Sequence, residues 1–162
     1  MPRKLFIIVS LLFFGFNFSK AQVPPIYNPK ANAASDIQNA VLKAQKEGKN
    51  IFIQIGGNWC PWCHKFHHLI TSDPAIKSYV EANFIPLLVN YSKENRNKAV
   101  LKSLGFPQRF GFPVFVILNS QGKEVHIQNS AYLEQEKGYN TKKVLTFFQQ
   151  WSPKALNPST YN

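Results

Sequence analysis

The stretch Ile51-Phe52-Ile53-Gln54-Ile55-Gly56-Gly57-Asn58-Trp59-Cys60-Pro61-Trp62-Cys63-His64-Lys65-Phe66 decides the reading of this chain. Four of its first five residues are apolar and three are β-branched, which predicts a buried strand, and Gly56-Gly57 stops it. The segment from Cys60 to Ile70 reads as a helix. Pro61 fits its first turn, where a missing N–H costs nothing. Cys60 and Cys63 therefore open a helix just behind a buried strand. A thiol in that position feels unpaired backbone N–H groups and the positive end of the helix dipole, and both favour thiolate over thiol. The thiolate is the attacking species in disulfide exchange. Two intervening residues put both sulfurs on one helical turn, close enough to bridge as a Cys60–Cys63 disulfide. Cys60, at the helix start, is expected to be exposed and to attack. Cys63 lies one turn in, on the face of Phe66 and Ile70, and is expected to be more covered and to resolve the mixed disulfide. Trp59 and Trp62 would shield the pair and offer apolar contact to a client.

Outward from this block, helices and strands alternate. Ser35 and Gln38 have capping-box spacing, and Ile37, Ala40, Val41 and Ala44 recur at helical spacing until Gly48. Asp73-Pro74 starts a short helix with Ile76, Tyr79 and Val80 on one face. Phe84 to Val89 is a second buried strand, and residues 93–104 read as a polar-faced helix closed by Gly105. Val114 to Leu118 is a third strand, Asn119 to Gly122 a turn, and Glu124 to Gln128 a fourth strand. Asn140 or Thr141 caps a last helix with Val144, Leu145, Phe148 and Trp151 on one stripe, which Pro153 ends. The order α-β-α-α-β-α-β-β-α predicts an α/β fold. Its central sheet is mixed, parallel early and antiparallel late, with helices on both faces.

At 162 residues and 44% hydrophobic, the chain suits one domain with an ordinary core, which excludes general disorder. Two cysteines exclude a disulfide-stapled mini-protein. Arg3 and Lys4, the apolar run Leu5 to Phe18 and Ser19-Lys20-Ala21 have the three-part layout of a secretory signal. The run is about fourteen residues, short of the roughly 20 that span a bilayer. The expected organisation is a signal peptide at 1–21, an extended lead-in at 22–32, a domain at 33–151 and a tail at 152–162. Export to the periplasm or beyond puts the chain where disulfides persist. Cleavage lowers the formal charge from +11 to +8, and the remaining lysines are scattered. A solvated basic surface accounts for them, and no nucleic-acid binding is expected.

The two cysteines admit other uses. A CxxC can be half of a zinc site, but structural sites take four ligands and no third cysteine exists. His64, His67 and His68 sit too close together on one short helix to surround an ion, so no metal is expected. Cys60-Pro61-Trp62-Cys63-His64 also matches the attachment motif of c-type haem. Met1, the only methionine, would leave with the signal, so no methionine could serve as a sixth ligand, and strand–turn–helix flanks do not suit a small all-helical cytochrome. No cofactor is expected. A redox-quiet module that holds a peptide or a metal on the same fold is the remaining alternative.

With these pieces in place the chain resembles the thioredoxin-like superfamily over about residues 33–151. The block from Gly57 to Phe66 is similar to an exported bacterial branch with W-C-x-W-C-H-K, as is Asp73-Pro74 followed by Asn83-Phe84-Ile85-Pro86. Gly111-Phe112-Pro113-Val114-Phe115 resembles the family's cis-proline loop. The resemblance implies a thioredoxin fold and a protein-disulfide oxidoreductase whose substrates are protein thiols and disulfides. It also implies recharging by a membrane or periplasmic redox partner. It implies a cis Pro113 that places the Phe112 backbone beside Cys60 to pair with an extended client. Thioredoxin proper carries a buried acid where this chain has Gln54, an amide that takes no proton at neutral pH. Glu47, His67 or water would have to serve instead. His64 could favour the thiolate as a nearby cation. Pro113 follows Cys63 by 50 residues, more than in compact thioredoxins, which places extra length around residues 92–108.

Overall fold

The computed structural model describes residues 23–162, so the signal expected at 1–21 lies outside the described residues. Five helices and six strands follow: α1 Ala33–Glu47, β1 Asn50–Gly56, α2 Pro61–Ser72, α3 Pro74–Asn83, β2 Phe84–Asn90, α4 Lys98–Ser103, β3 Val114–Leu118, β4 Glu124–Asn129, β5 Glu134–Gln135, β6 Gly138–Tyr139 and α5 Thr141–Gln150. The main sheet has the order β2-β1-β3-β4, with β1 parallel to β2 and antiparallel to β3.

Side chains alternate along a strand, so each face of this sheet collects its own core. Ile51, Ile53 and Ile55 of β1 meet Val114, Val116 and Leu118 of β3 beneath α1 and α4. Phe52 of β1 and Phe115 and Ile117 of β3 face the other way, onto α2, α3 and α5. That second core is largely aromatic. The Phe52 ring lies 5.0 Å from Phe148, 5.5 Å from Phe115 and 6.0 Å from Phe66.

Three local expectations need correcting. Asn32, not Ser35, caps α1: its side chain accepts from the Ser35 N–H at 3.1 Å. An Asx side chain meets this donor as well as a serine would, and the helix starts earlier in consequence. The helix expected over 93–104 is only Lys98–Ser103. Upstream of it, asparagine side chains capture backbone partners that a helix would need. Asn90 Nδ2 donates to Asn95 O at 3.0 Å, Asn97 Nδ2 donates to Asn90 O at 2.7 Å, and Asn97 is left-handed at φ 46°. The small β5–β6 hairpin was not foreseen, because two-residue strands carry no period. The tail holds a 3₁₀ turn at Pro158–Thr160, capped by Asn157.

The sheet fixes where chemistry can occur. Gly56, the end of β1, pairs with Asn90, the end of β2, and Ile55 pairs with Val114, the start of β3. The loops after β1 and before β3 therefore meet at one edge of the sheet. Phe52→Ala should lower stability by about 3–5 kcal/mol in urea unfolding, because four phenylalanines would face the cavity. A loss under about 1 kcal/mol would show that this aromatic cluster is not the organising core.

Candidate active site

At that edge, Cys60 is the N-cap of α2 and Pro61 its first residue. Cys60 and Cys63 are joined as a disulfide, with Cα atoms 5.3 Å apart. The Cys63 backbone N–H points at Cys60 Sγ, 3.2 Å away. An N–H at a helix start seeks an acceptor, and this one is shared between Cys60 Sγ and Cys60 O, 3.1 Å away. No acidic side chain lies in the first turn of α2 to oppose a negative charge there.

The pair is more enclosed than the sequence suggested. Cys60 is only 3% exposed and Cys63 is fully buried. The expectation of an open Cys60 is corrected by what packs round it: Tyr27 from the lead-in, with Ile26, Trp62, Leu88 and Phe112. Trp59 is the open partner, 56% exposed. It donates from Nε1 to Tyr91 O at 2.8 Å and meets the Phe112 ring edge-on at 5.5 Å. Tyr91 stacks on the other side of Phe112 at 4.6 Å. One aromatic brace thus joins the CxxC loop, the end of β2 and the loop before β3. In that last loop the Phe112–Pro113 bond is cis. A second brace holds Trp62: Tyr139 meets its ring at 5.4 Å and Lys65 Nζ lies 4.4 Å above it.

Gln54 is wholly buried beneath the pair and donates from Nε2 to Cys63 O at 3.0 Å and to Tyr27 Oη at 2.7 Å. His64 is half-buried and meets Asn58 O through Nε2 at 3.1 Å. The alternative proton acceptors fall elsewhere. Glu47 ends α1 and pairs with Lys49 at 2.8 Å, which holds its carboxyl below the usual range. That is the start of β1, and the cysteines follow its other end, roughly 20 Å away for a seven-residue strand. His67 lines a cavity of about 230 Å³ with Phe52, Ile70 and Val80, between α2, α3 and β2. Burial, then His64 and His68, hold its imidazole below the ordinary range. Among the described residues, no group of three or more His, Cys, Asp or Glu is arranged to hold a metal ion.

A family model described as thioredoxin-like matches residues 32–120. The chain belongs to the thioredoxin-like family. Over 112 residues it is 30% identical to the thiol:disulfide interchange protein DsbD of Salmonella typhimurium, an alignment covering 68% of this chain and 19% of that one. The DsbD of Salmonella typhi matches over the same length at the same identity. The chain thus spans about a fifth of the length of the curated relatives it matches. The thioredoxin-like fold itself recurs in a disulphide isomerase from Xylella fastidiosa, with a TM-score of 0.70 at 20% identity over 79% of this chain and 97% of that one. A thioredoxin from Thermus thermophilus aligns with a TM-score of 0.50 at 20% identity, over 70% of this chain and 81% of its own.

Tyr27, Asn58, Tyr91 and Tyr139 escaped the sequence reading, since each acts on the pair through contacts distant in the chain. Tyr27 carried one signal: it is a lone tyrosine in a proline-bounded lead-in, Pro24-Pro25-Ile26-Tyr27-Asn28-Pro29. Gly56 is equally constrained. A Cβ there would press on Cys63 Sγ and reach Tyr27 Oη at 2.9 Å. Gly56→Ala should therefore cost about 1–3 kcal/mol of stability in the oxidised protein. An unchanged urea midpoint would mean that the site has slack at this point.

Proposed function

We propose that this protein is an exported thiol–disulfide oxidoreductase that exchanges disulfides with protein substrates, Cys60 attacking and Cys63 resolving. The observation that carries the reading is the hydrogen bond aimed from the first turn of α2 at Cys60 Sγ, beside the loop that holds Pro113. A sulfur placed to receive a backbone N–H at a helix N-terminus is a sulfur prepared to be a thiolate. The relatives, a thiol:disulfide interchange protein and a disulphide isomerase, agree with this chemistry.

In the reducing direction, the Cys60 thiolate attacks one sulfur of a client disulfide. A Cys60–client bond forms, and the other client sulfur leaves with the electron pair. The Cys63 thiolate then attacks Cys60 Sγ, closing Cys60–Cys63 and releasing the second client sulfur. Two electrons have passed to the client, and a dithiol donor at the membrane or in the periplasm restores the enzyme. In the oxidising direction the steps reverse, and the net direction follows the reduction potentials of the partners. The client would lie as an extended strand against the Phe112 backbone, with exposed Trp59, Phe106 and Phe110 forming an apolar rim. The first turn of α2 carries no acid to oppose a thiolate. The signal-like residues 1–21 support export.

A second reading, a peptide-binding module whose disulfide stays closed, is favoured by the low exposure of the pair. The two separate cleanly. Cys63→Ala should accumulate mixed disulfides with periplasmic proteins that dissolve in dithiothreitol, and its insulin reduction should fall at least about tenfold below that of the unaltered protein. No adducts, together with no insulin reduction by the unaltered protein, would overturn the oxidoreductase in favour of the closed module.

A further inference from the structure

The lead-in does more than precede the domain. Asn58, in the turn before Cys60, grips it on both sides of Tyr27. Asn58 Oδ1 accepts from the N–H groups of Ile26 and Tyr27, each at 2.9 Å, and its Nδ2 donates to Tyr27 O at 2.8 Å. Asn95 Nδ2 adds a bond to Pro29 O at 3.1 Å. Held this way, Tyr27 turns its ring inward until it is 3% exposed.

The hydrogen bonding at the end of that ring is incomplete. Tyr27 Oη accepts from Gln54 Nε2, and among the described residues its own proton meets no acceptor. Gln54 Oε1 is buried without a partner. One spare donor and one spare acceptor are therefore buried, where unpaired polar groups are costly. Tyr27 packs against Cys63, and Gln54 Nε2 bonds the Cys63 carbonyl. The sulfur and the phenol oxygen crowd the same empty position on Gly56. In the disulfide, Cys63 Sγ is a poor partner for either group. Once the disulfide opens, a thiolate there accepts well and a thiol can donate.

We propose that Tyr27 is a positioning residue of the dithiol chemistry: its phenol O–H is the hydrogen-bond donor that holds the Cys63 sulfur as a thiolate when the disulfide is open. This deepens the oxidoreductase reading and draws its purpose from it, although the hydrogen bond itself stands apart from any client. In the resolving step Cys63 gives its proton to solvent, its thiolate attacks Cys60 Sγ, the Cys60–Cys63 bond forms, and the client sulfur leaves with the electron pair and takes a proton from solvent. Tyr27 neither gains nor loses a proton in this. Burial pushes its phenol above the ordinary tyrosine range, so it remains a donor throughout. The larger thiolate fraction raises the rate more than the lowered basicity reduces it, since nucleophilicity falls by only about 0.4–0.5 log unit per pKa unit. Gln54 cannot remove the proton, but the Tyr27 donor lowers the need for a group that does.

The titratable groups facing Cys63 are few. Cys60 and Tyr27 pack on it, with Tyr139 acting on Tyr27 from the β5–β6 side, His64 next in sequence and His67 one turn on. Ile26, Trp62, Leu88 and Phe112 complete the packing and carry no charge. The test uses the full chain with Cys60→Ser, which leaves Cys63 as its only thiol. Thiolate absorbance at 240 nm is followed against pH, with and without Tyr27→Phe. Phenylalanine keeps the ring and removes the donor. The expected result is a Cys63 midpoint higher by about one unit, a roughly tenfold smaller thiolate fraction at neutral pH. A change below about twofold overturns the proposal, since packing alone would not move the titration. Should the phenylalanine chain fail to fold, the Tyr27 ring resonances of the Cys60→Ser chain decide by NMR. They must shift with the same midpoint as the 240 nm signal, and a ring that ignores the titration overturns the proposal. No client takes part in either measurement. Failure of insulin reduction would sink the proposed function and leave this bond standing, and an unmoved midpoint would do the reverse.

Discussion

The contact on which the rest depends is short: a backbone N–H at the start of α2 directed at Cys60 Sγ, 3.2 Å away. Everything nearby serves to hold that geometry. β1 is buried along its whole length and delivers the chain to the sheet edge at a fixed height. Gly56 and Gly57 let the chain pass under Tyr27, Trp59 and Tyr91, where a Cβ would collide. Pro61 then begins the helix at once, so the first free N–H groups lie beside the sulfur. Charge created on Cys60 meets one donor already in place, the Cys63 N–H, and little reorganisation is needed.

Enclosure is the second constraint. A disulfide covered by Tyr27, Trp62 and Phe112 is protected from adventitious thiols, yet exchange requires that one sulfur be reached. Cys60 is the more accessible of the two, and the exposed Trp59 beside it marks the side of approach. The same packing buries the site, which strengthens each hydrogen bond to sulfur and penalises each polar group left unpaired. Tyr27 belongs to this balance: its phenol O–H is the donor proposed for the Cys63 thiolate once the disulfide opens.

What could be read in the sequence follows from how local the cause is. β1 and β3 stand out as continuous apolar runs because both of their faces are covered, and α2 because Pro61, Cys63, Phe66 and Ile70 keep helical spacing. The CxxC at the strand–helix junction was legible for the same reason, whereas Pro113 before β3 stood out only through the resemblance of Gly111 to Phe115 to a family loop. Tyr27 was not. Its partners Gln54 and Asn58 lie 27 and 31 residues away, and nothing in a proline-rich lead-in shows that it folds back. The loop over residues 92–97 misled for a different reason. Its composition suits a helix surface, but Asn90, Asn95 and Asn97 satisfy the backbone through side chains, a choice that propensity does not encode. The burial of Cys60 was missed because its cover comes from three separate segments.

The most direct measurement is the pH dependence of Cys60 alkylation in the fully reduced protein, with the modified residue located by mass spectrometry. A thiol held against the first turn of α2 should label with a midpoint in the range of about 3.5–7.5. A midpoint near the roughly 8.5 of an unassisted thiol would contradict it, and with it the claim that this helix start was built to carry a sulfur anion.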